Sequence, residues 1–98
     1  MSKLLNALNE KNKDINVILS LIPNSDLTFI NEKRENALLL SLHYELPEIT
    51  HKILMYESCG IDQIDYMGNN SLILALKKHY SDISKLIIIL PLFRTVFL

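Results

Sequence analysis

At 98 residues with a net charge of −1, the chain is long enough for one compact domain and too short for two. An apolar share of 49% against 21% charged is globular composition, and ten basic against eleven acidic residues give no electrostatic case for nucleic acid or an acidic membrane as partner. One cysteine, Cys59, excludes an internal disulfide and a thiolate zinc cluster.

In chain order, the predicted elements come as helix pairs. Ser2, Asn36 and Asn70 are N-cap residue types, each opening a helix with apolar residues at helical spacing. In the second copy these are Leu38, Leu39 and Leu42 around a small Ser41; in the third they are Leu72, Ile73 and Leu76 around Ala75. A second helix follows each time, opened at Pro47 in the middle copy, with Asp14, Glu48 and Asp82 in its first turn against the positive end of the helix dipole. The pairs are joined by long polar connectors, PNSDLTFINEKRE and ESCGIDQIDYMGN. The second of these holds both glycines, Gly60 and Gly68, read as positive-φ turn residues rather than a phosphate loop. Pro91 is expected to end the last helix. The opening MSKLLNALNEKNKD turns charged too early for a signal peptide, and the apolar run Leu86 to Phe93 is far short of the ~20 residues a bilayer span needs. A soluble, cytoplasmic chain is expected.

The pairs are copies of one another. At a spacing of 34 residues Leu4, Leu38 and Leu72 coincide, as do Leu8, Leu42 and Leu76, the small residues Ala7, Ser41 and Ala75, and Leu19, Ile53 and Ile87. Asp14, Glu48 and Asp82 coincide too, each followed by isoleucine. Such a period indicates a solenoid in which each unit buries its apolar face on the next. A tetratricopeptide array has this period, but its connectors are short and its tryptophan-glycine-tyrosine pattern is absent here.

DYMGNNSLILALKKHYSDISKLII resembles the ankyrin repeat, D-x-x-G-x-T-P-L-H-x-A followed by E-I-V-x-L-L. Asp65, Gly68, Leu72, Ala75, Asp82, Ile83 and Leu86 fall on matching or chemically equivalent positions. NEKRENALLLSLHYELPEITHKIL is a weaker copy, and SKLLNALNEKNKDINVILSLI resembles a repeat without its leading finger. The T-P-L-H signature is replaced by NALL and NSLI, and the glycine that ends the first helix by Glu45 and His79. The resemblance implies an all-α fold, an α-solenoid of three ankyrin-like helix-turn-helix repeats with finger-like β-turn connectors. It would form a single domain over 1–98, with units at about 1–30, 31–64 and 65–98 and an apolar tail at 92–98.

Chemistry is sparse. His43, His51 and His79 lack metal-ligand spacing and read as surface residues, and Cys59 has no base placed beside it. The cluster Lys77, Lys78, His79 and Lys85 reads as a solvated helix end, and LPEITHKILMY resembles an F-box opening only superficially. No enzyme activity, cofactor or metal is expected. By the resemblance, the chain is a protein-interaction module contacting its partner through finger tips and first helices. The candidate residues are Glu32, Lys33, Glu35, His43, Tyr44, Tyr66, Met67, Asn69, Lys77 and Lys78, with Tyr66 and Met67 as anchor. Abundant Ile, Asn and Lys with scarce Gly, Ala, Arg and Pro imply an AT-rich gene, as in a virus or intracellular microbe, and hence a host protein as partner. The alternative is a structural, self-associating fragment: Leu92, Phe93, Val96, Phe97 and Leu98 are expected to cover the flank of the last pair, within the chain or across a dimer.

Overall fold

The computed structural model describes the backbone of residues 2–97 and the side chains of residues 2–91. Among the described residues there are six α-helices: α1 (Lys3–Asn9), α2 (Ile15–Leu21), α3 (Ala37–His43), α4 (Pro47–Leu54), α5 (Ser71–Lys77) and α6 (Ser81–Phe97), with one 3-10 turn at Ile22–Asn24. Among the described residues there is no β-strand. The helices α1, α3 and α5 begin and end at a constant offset of 34 residues.

The caps show why. The Oγ of Ser2 accepts from the Leu5 amide at 3.2 Å, and the Oδ1 atoms of Asn36 and Asn70 accept from Leu39 and Ile73 at 2.9 Å. Each side chain thus occupies one of the amides a helix start leaves unpaired. At the far end of α3 and α5, Glu45 and His79 take φ of 58° and 61°. They let the Leu46 and Tyr80 amides reach back to Ser41 and Ala75 carbonyls at 2.8 and 2.9 Å. This left-handed closure is where glycine would be easiest.

The pairs stack in two layers: α1 packs on α2 and α3, α3 on α4 and α5, and α5 on α6, while α2, α4 and α6 form the second layer. Sandwiched on three sides, α3 buries every residue from Ala37 to Leu42. Its polar member Ser41 is satisfied, with its Oγ 2.7 Å from both the Leu38 carbonyl and the Thr50 hydroxyl. Cys59 is fully buried in the same core.

Of the positions that stay apolar between the copies, Leu38, Leu42, Ile49 and Ile83 are buried. Two depart: Leu72 is only partly buried, and Leu76 is 57% exposed where Leu42 is 0%. They belong to the last pair, which has no further pair to cover it among the described residues. The first pair deviates differently. Its Asp14 is the N-cap of α2, accepting from the Asn16 and Val17 amides, and does not sit in the first turn. With the helix starting late, Ile18 is the fully buried residue and Leu19 only packs against the core.

Pro91 does not end the last helix; α6 runs through it to Phe97. An internal proline removes one rung of the helical ladder and crowds the carbonyl four residues back, at about 3 kcal/mol. Here it interrupts the rung without stopping the helix. The expected covering role of Leu92, Phe93, Val96, Phe97 and Leu98 falls on side chains outside the described residues.

Candidate interaction groove

Each connector folds around one short polar side chain. The Oδ1 of Asn31 accepts from the Lys33 and Glu35 amides, both at 2.9 Å, while the Asn31 amide donates to the Glu35 carbonyl at 3.0 Å. The Oδ1 of Asp65 does the same for Met67 and Asn69, at 2.9 Å each, and its amide donates to the Asn69 carbonyl at 3.0 Å. Asn and Asp suit this role because their side chains reach their own following amides. The turn closes through positive φ at Arg34 (62°) and Gly68 (82°).

The two turns are also tied together. The Tyr66 amide donates to the Lys33 carbonyl at 3.0 Å, and the Gln63 side-chain amide to the Arg34 carbonyl at 3.1 Å. Below them the buried Asn36 cap donates its side-chain amide to the Gly60 carbonyl at 2.9 Å. A Cβ at Gly60 would collide with that amide, so this glycine is required by close approach as well as by its φ of 72°.

The tied turns and the three first helices enclose a groove of about 720 Å³. Eight of the ten candidate residues line it: Glu32, Lys33 and Glu35 from the first turn, Tyr66, Met67 and Asn69 from the second, and His43 and Tyr44 from the end of α3. Lys77 and Lys78 do not. The Lys77 ammonium is drawn to the Asn69 side chain at 3.0 Å, and Lys78 is the C-cap of α5, with its amide on the Leu74 and Leu76 carbonyls.

The lining residues are not equivalent. Tyr66 and Met67 are 62% and 68% exposed, held by their backbones while their side chains stand in solvent. Tyr44 is half-buried and engaged: its hydroxyl donates to Asn9 Oδ1 at 2.7 Å, Lys13 Nζ lies 4.1 Å from its ring centroid, and His43 meets it edge-on. It is a fixed wall. Phe29 and Ile30, exposed beside the first turn, face the same groove and were missed by sequence reasoning. Ile30 carries a signal, since it coincides with Ile64 in the repeat; Phe29 carries none, because the second unit has Gln63 there.

Among the described residues no three His, Cys, Asp or Glu side chains gather as a metal set. Cys59, fully buried, cannot reach a substrate in solvent. His43, His51 and His79 are all exposed. Asp26, in a neighbouring hollow beside Phe29, is held below the usual carboxylate range by the Thr28 hydroxyl and amide. Among the described residues, no helix is long and apolar enough to cross a membrane.

No protein-family model matches the chain, and neither a curated protein nor a solved structure is significantly similar to it.

Proposed function

We propose that the chain is a non-enzymatic protein-interaction module, an ankyrin-like solenoid of three repeats that takes its partner along the groove. One observation carries this reading: the groove rim displays Phe29, Ile30, Tyr66 and Met67 in solvent, with the amides of Phe29, Tyr66 and Met67 held by hydrogen bonds. Exposed aromatic and methionine side chains on a rigid frame contribute contact area with little ordering cost, which is how interface anchors work. Glu32, Lys33 and Glu35 give the polar edge.

The ankyrin-like assignment rests on the shared register of α1, α3 and α5 and on the positive-φ closures at Glu45 and His79, where the family has glycine. Cytoplasmic action on a host protein is part of the proposal, and it rests on the AT-rich composition.

The test is affinity capture with the intact chain and with Tyr66→Ala/Met67→Ala, paired with thermal melts. The double variant should lose the captured partner and keep its melting temperature. Partner retention by the variant, or a fall in stability that accompanies loss of binding, would overturn the reading.

A further inference from the structure

The end of the stack presents a second surface, distinct from the groove. Leu72, Ile73, Leu76 and Ile88 occupy the places of Leu38, Leu39, Leu42 and Leu54 one repeat earlier, and those four are buried by the pair that follows. In the last pair Ile88 is 55% exposed against 0% for Leu54, and Ile73 and Leu76 are exposed as well. Ile89 is different: its counterpart Met55 is exposed in the middle pair too, so Ile89 points to solvent in either setting. The open face therefore continues the interface by which this chain stacks its own helix pairs. The four side chains that form it are uncharged.

We infer that a second copy of the chain covers this face, α5–α6 against α5–α6 about a two-fold axis. The opposite end of the stack excludes head-to-tail addition as the occupant. There α1 exposes Lys3 and Asn6 at the places where α3 and α5 bury Ala37, Leu40, Ser71 and Leu74. A copy added head-to-tail would press Lys3 into Leu76 and Ile88 and bury an unpaired ammonium. Between the two ends of the stack, the apolar complement is the same face on another molecule, which is the isologous arrangement of a closed dimer.

The experiment is the mass of the intact chain by light scattering across a concentration series, alongside Leu76→Lys/Ile88→Lys and a groove control, Met67→Lys. The wild type should approach twice its 11.3 kDa as concentration rises, and so should Met67→Lys. The double variant should remain at the single-chain mass with its helical circular dichroism intact, since both replaced side chains already stand in solvent in one chain. Should it precipitate, Ile73→Glu provides the same reading. A wild type that stays at the single-chain mass throughout would overturn the inference and point to cover from within the chain. A doubled mass that survives the α5–α6 variants or is lost in Met67→Lys would overturn it too, as would open-ended growth beyond two copies.

Discussion

Leu42 and Leu76 hold the same place on α3 and α5, follow the same asparagine cap and precede the same left-handed closure, yet one is fully buried and the other 57% exposed. The difference separates two kinds of force. Caps, turns and the length of the first helix are written within each unit and come out alike in both. Burial is supplied by neighbours, and α3 has a helix pair on either side where α5 has one. A repeated helix pair is thus only as well packed as its position allows.

The largest expected effect breaks the equivalence directly. Leu42→Ala should cost about 2–5 kcal/mol by urea denaturation, the range for a leucine removed from a closed core. Leu76→Ala should stay within about 0.5 kcal/mol, as for an exposed site. Leu72→Ala should fall between them, because its side chain is partly buried.

The caps sharpen the comparison. Asn36 serves two partners from a buried position, the Leu39 amide and the Gly60 carbonyl, whereas Asn70 has the Ile73 amide. Asn36→Ala should cost about 2–3 kcal/mol, and Asn70→Ala about 1 kcal/mol. Equal losses would show that the Gly60 link contributes nothing.

Glycine at the closures should act alike in both units, because the strain there is local. Glu45→Gly and His79→Gly should each raise stability by about 0.5–1 kcal/mol, equally in the two units and additively in combination. Thermal melts of the three variants would check this.

The smallest effect is alkaline. Tyr80 stands where the middle unit has Leu46, and burial, followed by the Glu45 carboxylate, pushes its pKa above the ordinary 10.0. The folded state therefore favours the protonated phenol. That contribution is complete below the unfolded pKa and fades as pH rises through the higher folded value. Tyr80→Phe should flatten the loss of stability above about pH 10, measured by denaturation at stepped pH.

Much of this was legible in the residues. The 34-residue spacing placed α1, α3 and α5, and Ser2, Asn36, Asn70 and Pro47 marked helix starts because their side chains act on adjacent backbone. Eight of the candidate residues converged on one groove because the connectors and first helices lie where the repeat spacing puts them; Lys77 instead reaches the Asn69 side chain, and Lys78 caps the end of α5. What the residues hid depends on surroundings. Leu76 reads as core because a periodic pattern assumes neighbours on both sides. Asp14 reads as a first-turn residue because repeat matching ignores that its side chain can itself start the helix. Pro91 reads as a stop because local sequence does not show that the helix continues past one missing rung.

The middle and last pairs are one unit in two surroundings. Native-state hydrogen exchange on the single-chain variant Leu76→Lys/Ile88→Lys tests it most directly. Amides of residues 40–43 in α3 should exchange only through global unfolding, and those of residues 74–77 in α5 through a smaller opening, hence markedly faster. Equal protection of the two helices, or slower exchange in α5, would contradict the account.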